Sequence, residues 1–388
     1  MALRECALRS EAFSTLHDAY ANREKAALAW KERGGKVVGT LGADVPEEIL
    51  IAAGFLPVRC YADPDKPLKY ADVYLEQAYE PSSRATFERI VDGTCDGLFD
   101  HLAISHTSDT ELRMWLYLRE MRRSERQMRV PPVEFVDWLL VRRRMYQEEN
   151  KNVVARFRDA VEKWIGRAID DDEIRAAARI LNDDHAALRE VAALRRIDAP
   201  RVNGSEALVI IGSAFFMDRA EHAKLARQVA EEAQGWPEID APRVFVTGTA
   251  QESTELYGLI EDAGAVVVGE DHDWGDRSYD RDMRCDIDVT RAIVDRYMLR
   301  SVSCRRSLVA DRVRELDAQV AAANAQAVVF YLHEHDEAAS WDYPEQRKSL
   351  EGEGIATKAF FRQQWPASRN GALAGDLAAF ADELKARA

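Results

Sequence analysis

The sequence predicts an α/β fold: two parallel-sheet units joined by a helical segment. Two observations carry the prediction. Short apolar runs recur with helical stretches between them, at residues 36–41, 56–61 and 98–105, and again at 207–216, 243–248, 265–270, 327–332 and 355–361. Runs rich in Val and Ile that alternate with helices are the pattern of parallel strands with right-handed crossovers. Between the two sets lies a mostly helical stretch, residues 138–196. The chain therefore divides into an N-terminal α/β domain (1–137), a helical connector (138–205) and a C-terminal α/β domain (206–388).

The element after the first run has the signals of a helix. Asp44 is a candidate cap, Glu47 three residues on completes a capping box, Pro46 lies in the first turn and Gly54 stops it. Arg129-Val130-Pro131-Pro132 predicts a break before the connector. Inside the connector, Asp170-Asp171-Asp172 offers a cap and favourable charge at a helix start. Ile174, Ala178, Leu181, Leu188 and Val191 then repeat at helical spacing and form one buried stripe.

Composition narrows the class. With 47% hydrophobic and 31% charged residues, the 388-residue chain can bury a large core and is not disordered. Its 53 Lys and Arg against 68 Asp and Glu leave a net charge of −15, which argues against nucleic acid as a partner. No apolar run approaches the roughly 18 residues of a membrane span, since residues 207–217 are interrupted by Gly212 and Ser213. The first residues carry Arg4, Glu5, Arg9 and Glu11 with no apolar segment of a secretory signal, so the expected location is cytoplasmic. Cys6, Cys60, Cys95, Cys285 and Cys304 are odd in number, scattered and without CxxC. That excludes a disulfide framework and any local zinc or ferredoxin spacing, and each reads as a buried thiol. Gly39 and Gly42 accompany the first strand without a GxGxxG or GxxxxGK[ST], so no nucleotide fingerprint is present. Ser213 and Ser253 lack a nucleophile-elbow context.

Four polar clusters remain. Tyr79-Glu80-Pro81-Ser82-Ser83-Arg84 reads as a turn opening a helix, with Glu80 at its positive end. His106-Thr107-Ser108-Asp109 follows an apolar run and reads as a capped helix start; it also places polar groups at a strand's carboxyl end, where open α/β sheets bind ligands. His333-Glu334-His335-Asp336 reads as a solvated strand end, or, if the strand continues, as two histidines on one face able to bind a metal. Glu270-Asp271-His272-Asp273 reads as a polar loop.

The first three of these clusters, in their order, resemble the 2-hydroxyacyl-CoA dehydratase / benzoyl-CoA reductase family, specifically its iron–sulfur-containing alpha and beta type subunits. The stretch Pro46-Glu47-Glu48-Ile49-Leu50-Ile51-Ala52-Ala53-Gly54-Phe55-Leu56-Pro57-Val58-Arg59 is similar to the family's P-E-E-L-I-x-A-A-G-x-x-P-V-R segment. Trp164-Ile165-Gly166-Arg167, Asn182 and Leu194-Arg195 resemble its helical connector. Arg243-Val244-Phe245-Val246-Thr247-Gly248 and Ile260-Glu261-Asp262-Ala263-Gly264-Ala265-Val266-Val267 resemble the opening of its last α/β domain, and Trp341-Asp342-Tyr343-Pro344 with Gly354-Ile355 a segment further on.

The resemblance implies two α/β domains facing each other across a cleft, an acyl-CoA thioester substrate and a homologous partner subunit in a heterodimer. It also implies a four-iron cluster held by one Cys in each of three turns, written C-P-x-x-R, H-T-C-D and F-C-D/E. Here those places hold Glu80, Ser108 and Asp336. Oxygen donors replace thiolates poorly, so the expectation is no cluster in this chain, with a four-iron four-sulfur cluster left to the partner subunit. Glu80, Ser108, Asp336 and His106 are then expected to line the former cluster cavity, one carboxylate serving as general acid or base. Thr40 and Glu47 are expected to face the thioester carbonyl, and Arg84 or His106 to offer a donor to the carboxylates. The side-chain oxygens of Glu80, Ser108 and Asp336 should converge within roughly 10 Å around a polar cavity. Three functional classes follow: a hydroxyacyl-CoA dehydratase subunit, a non-catalytic partner of an active homologue, and a metal-dependent lyase or hydrolase using Glu80, Asp336 and His335 around a divalent ion.

Overall fold

The structure, a computed structural model, describes residues 3–303 and 307–387. Cys304 lies outside them. Among the described residues the strands form two four-stranded sheets, both wholly parallel. The first contains β1 (Lys36–Leu41), β2 (Phe55–Arg59), β3 (His101–Ser105) and β4 (Val133–Val136), in the order β2-β1-β3-β4. The second contains β5 (Arg243–Gly248), β6 (Val266–Glu270), β7 (Ala327–His333) and β8 (Ala356–Gln363), in the order β6-β5-β7-β8. These are the two α/β domains expected from the alternating runs. The central strands are buried on both faces, all of β7 and all but the first residue of β1, which is why they read as continuous apolar runs.

The shared order places the site. In each sheet the chain steps from a central strand to one edge and then crosses to the other side, so the order reverses between β1 and β3 and between β5 and β7. The connections there leave in opposite directions and open a crevice at the carboxyl ends.

Two expectations are corrected and one strand is added. Residues 207–216 are not a strand but the helix Gly204–Ser213 followed by a short 3-10 turn, Ala214–Phe216. All ten helix residues are buried, so no polar face betrays the helical period. Asn203 and Glu206 close its N-terminus with a reciprocal capping box. It lies so close to its neighbours that a Cβ at Gly212 would come 2.4 Å from the Tyr20 ring, and one at Gly204 2.4 Å from Val267. The break at residues 129–132 is also the approach to β4, an edge strand in register with β3 through Leu102 and Val133. Thirdly, Asp44 does not cap the following helix, which begins at Glu47 with Pro46 at the cap position and no side-chain cap. Its carboxylate is drawn into the cleft instead, accepting from Thr107 Oγ1 at 3.2 Å and facing Arg300 at 3.3 Å. Glu47, free of the capping role, pairs with Arg219 at 2.8 Å. Gly54 follows the helix with a positive φ of 84°.

The cap at Asp170 and the apolar stripe after it form as read. Helix Asp171–Arg195 opens with a full capping box, Asp170 accepting from Asp172 N and Glu173 N at 2.9 and 2.8 Å while Glu173 reaches back to Asp170 N at 3.0 Å. Its stripe of Ile174, Ala178, Leu181, Leu188 and Val191 is buried, packed between helix Glu47–Ala52 and helix Arg219–Ala233. Replacing Asp170 with Ala is expected to cost about 1 kcal/mol, read as a lowered urea midpoint at unchanged slope.

The loop after β1 is pinned by residues distant in sequence. Trp138 Nε1 donates to Asp44 O at 2.7 Å, and its ring stacks on Tyr297 at 5.4 Å. Tyr297 donates to Val45 O at 2.8 Å, and Arg300 Nη1 to Ala43 O at 2.5 Å. These bonds tie the loop after β1 to helix Val289–Met298 and the turn after it.

Candidate active site

A cavity of about 710 Å³ lies where those ends face each other. Its wall takes Gly42 and Ala43 after β1, Thr107 and Ser108 after β3, Gly248 and Thr249 at the end of β5, and His335 and Asp336 after β7. Both switch points thus open into one space. The turn Tyr79-Glu80, ahead of helix Pro81–Val91, completes it. Glu80, Ser108 and Asp336, far apart in sequence, share this wall.

Each is held by its own local structure. Pro81 occupies the first helical position, so the chain turns at Glu80 and leaves its side chain uncommitted to capping. Ser108 caps helix Asp109–Ser124, accepting from Thr110 N at 3.1 Å and donating its hydroxyl to Glu111. Asp336 accepts from Thr249 Oγ1 at 2.6 Å, and the same oxygen accepts from His333 N at 3.0 Å.

Burial and crowding set the charges. The Glu80 carboxyl is pushed up to about 8 by burial and by the negative charges of Asp336, Glu111 and Asp273, so it stays protonated at neutral pH. Burial also raises Asp336, against the opposing pull of the Thr249 hydroxyl. Glu111 is raised by burial, opposed by its bonds to Ser108. Burial would raise Asp273 too, but Arg59 and Arg277 outweigh it and hold the group at about 2. Carboxyls therefore crowd this cavity, with Asp273 held ionised by arginine and Glu80 raised to about 8.

Not every expected residue is there. His106 continues the pairing of β3 with β4, its N–H donating to Val136 O at 3.0 Å, and this turns its ring onto Asp137 at 2.6 Å and Phe135, outside the cavity wall. Arg84 sits buried within helix Pro81–Val91 and gives its guanidinium to Leu75 O, Glu76 O and Asp72, so it serves neither carboxylate. Thr40 and Glu47 line a much smaller adjoining space of about 30 Å³, which meets the main cavity at Gly42, Arg59 and Arg300. His335 has a positive φ of 73° that breaks the strand alternation, so it is exposed while His333 is buried, and the two do not share a face. Among the described residues, no three His, Cys, Asp or Glu side chains are placed to hold a metal ion.

Glu111, Thr249, Asp273 and His272 were missed by sequence reasoning. Glu111 had a signal: Ser108-x-x-Glu111 is a capping-box pattern. The loop Glu270-Asp271-His272-Asp273 is not a solvated polar loop, because Glu270 pairs with buried Arg195, Asp273 with Arg59, and His272 is buried.

The donors present do not suit a thiolate-held cluster. The three places the resemblance gives to cysteine hold a carboxyl, a hydroxyl and a carboxyl, none of them a soft ligand. Of the described cysteines only Cys60 lines the cavity, and burial pushes its thiol well above the ordinary range, away from the thiolate a metal needs.

Comparison with known proteins agrees with this architecture. The family model described as 2-hydroxyglutaryl-CoA dehydratase, D-component, matches residues 43–384. The beta subunit of (R)-phenyllactyl-CoA dehydratase from Clostridium sporogenes is 21% identical over 350 residues, 88% of this chain and 91% of that one. The beta subunit of lactoyl-CoA dehydratase from Anaerotignum propionicum is 24% identical over 356 residues, 88% and 90% of the two chains. The beta subunit of (R)-2-hydroxyglutaryl-CoA dehydratase from Acidaminococcus fermentans is 24% identical over 262 residues, 67% and 68% of the two. The chain belongs to the 2-hydroxyglutaryl-CoA dehydratase D-component family.

Proposed function

We propose that this chain is a beta-type subunit of an acyl-CoA-processing lyase, that it works beside a homologous partner subunit, and that it holds no iron–sulfur cluster of its own. Any four-iron four-sulfur cluster of the assembly then resides in the partner. One observation carries the reading: the three positions that the resemblance matches to the family's thiolates meet on one cavity as Glu80, Ser108 and Asp336, where burial and neighbouring negative charge raise the Glu80 carboxyl to about 8. A neutral carboxylic acid in a cavity of this size is a proton donor in position. Its role is to protonate the oxygen that leaves a hydroxyacyl thioester. Asp336, oriented by Thr249, and Ser108, oriented by Glu111, supply the hydrogen-bonding frame around it. The thioester's substituents would enter through the space bounded by Gly42 and Arg300, next to Thr40.

Two measurements test the two halves of the proposal. Purified alone under strictly anoxic conditions, the chain is expected to be colourless and nearly free of iron. About four irons and four sulfides per chain, with broad visible absorption, would overturn the cluster-free reading. Co-expressed with its homologous partner, it is expected to turn over at least one member of a hydroxyacyl-CoA panel. Turnover that survives unchanged when this chain is omitted would leave it no catalytic part.

A further inference from the structure

We propose that the exposed run Arg142-Arg143-Arg144, beside the cavity, binds the phosphates of the coenzyme A nucleotide, so that the thioester lies in the cavity and the nucleotide outside it. The inference rests on the acyl-CoA reading above and deepens it by naming where this chain holds the nucleotide.

Position is the first argument. The run follows the carboxyl end of β4, which pairs with β3 as far as Ser105 and Val136, so it lies on the edge of the first sheet where the cavity opens. Arg142 Nη2 donates to Arg300 O at 2.6 Å, and Arg300 lines the cavity, so the run abuts the wall. Val141 and Met145, on either side of the three arginines, are 43% and 67% exposed and give the uncharged pantetheine arm an apolar contact.

Charge is the second. All three arginines are exposed, and among the described residues none of them makes an ion pair. The acids of residues 137–149 are engaged elsewhere, Asp137 with His106, Glu148 with Lys151 and Glu149 with Arg156. No acid stands in the first turn of helix Arg144–Ile165 to offset the run. The whole chain carries −15, so general charge balance does not account for three adjacent cations. The cavity itself has no such place for phosphate. Glu80, Glu111, Asp273 and Asp336 crowd it with carboxyls, and its arginines are committed, Arg59 to Asp273 and Arg300 to Asp44 and Asp280. A phosphate is repelled there, whereas guanidinium forks match its oxygens in pairs. The uncharged thioester is the end the cavity admits, and the pyrophosphate and 3′-phosphate meet the arginines outside.

The test compares propionyl-CoA with propionyl-pantetheine, the same thioester without the nucleotide, by calorimetric titration of the full-length chain. The parent is expected to bind propionyl-CoA about 10- to 100-fold tighter. Arg143→Gln combined with Arg144→Gln should bring that ratio to within about threefold of one, with propionyl-pantetheine bound as before. Both side chains are exposed, so the fold is kept. Arg119→Gln combined with Arg126→Gln removes two exposed arginines toward the far end of helix Asp109–Ser124 and should keep the parent's ratio. A parent ratio near one, a ratio unchanged without Arg143 and Arg144, or an equal fall without Arg119 and Arg126 would overturn this inference and leave the acyl-CoA reading standing. Tighter binding of ATP than of propionyl-CoA, lost with Arg143 and Arg144, would give the run to another nucleotide and overturn the inference likewise. A parent that binds neither thioester would overturn the acyl-CoA reading, and the nucleotide site with it.

Discussion

Glu80→Gln is expected to lower turnover of the assembled enzyme by about 10²- to 10⁴-fold while leaving the fold intact, because an amide keeps the shape and hydrogen bonding of the acid but has no proton to give. The pH profile carries the sharper signature. The Glu80 carboxyl holds its proton up to about 8, raised by burial and by Asp336, Glu111 and Asp273. Activity that needs the protonated form should therefore be full below that value and fall as pH rises through it. Stability follows the same sign. The unfolded chain releases this proton near the ordinary Glu value, about 4.3, so the native state loses relative stability as pH climbs from there to about 8. Glu80→Gln removes that loss, and near pH 9 the variant should unfold at higher denaturant than the parent. Because Glu80 feels Asp336, the falling limb belongs to the pair, and Asp336→Asn should move it to lower pH. A Glu80→Gln enzyme of undiminished activity, or a falling limb unmoved in Asp336→Asn, would rule out the acid role.

How far the site is legible in the sequence depends on what kind of signal each residue leaves. Glu80, Ser108 and Asp336 are legible as a set only through the family resemblance, since a Pro at a helix start, a cap and a strand end are common boundaries that do not by themselves join them. Their convergence follows once β1, β3, β5 and β7 are recognised as central strands, because switch points gather loop ends whatever their separation in sequence. Glu111 is half legible, hidden behind its ordinary use as a capping-box residue. Thr249 and His272 leave no local signal, since both matter through side chains from other elements, Asp336 and Tyr257. Arg84 and His106 show the opposite error. Their neighbours in sequence reach the cavity, but one helical face and one further strand pairing turn these two away. The misread helix Gly204–Ser213 has the same root, because an element buried all round shows no amphipathic period, though Asn203-x-x-Glu206 marks its start.

Arg195→Ala is expected to be the most destabilising single replacement in the frame around the site, at about 3–5 kcal/mol. Arg195 is the last residue of the connector helix and is fully buried, with Glu270 at 2.8 Å and Asp276 at 2.6 Å. Asp276 is kept near 2 because Arg195 and Arg196 outweigh the burial that would raise it. With Arg195 gone, Glu270 loses its salt-bridge partner in a site 1% exposed, and Asp276 keeps Arg196 and the Tyr279 hydroxyl. Water cannot replace the lost guanidinium there, so the desolvation of two carboxyls is no longer offset. The pH dependence distinguishes this from simple loss of packing. A depressed Asp contributes stability that is present above its unfolded value and lost as pH falls through its folded one, so the parent should hold until close to pH 2. In Arg195→Ala the Asp276 group sits closer to its unfolded value, and the acid transition should begin at higher pH. Arg195→Met paired with Glu270→Gln should recover part of the loss, since neither group then requires a countercharge. A denaturation midpoint for Arg195→Ala within about 1 kcal/mol of the parent would mean that the connector's end does not hold the β6 loop in place, and that the Tyr257–His272 contact stands without it.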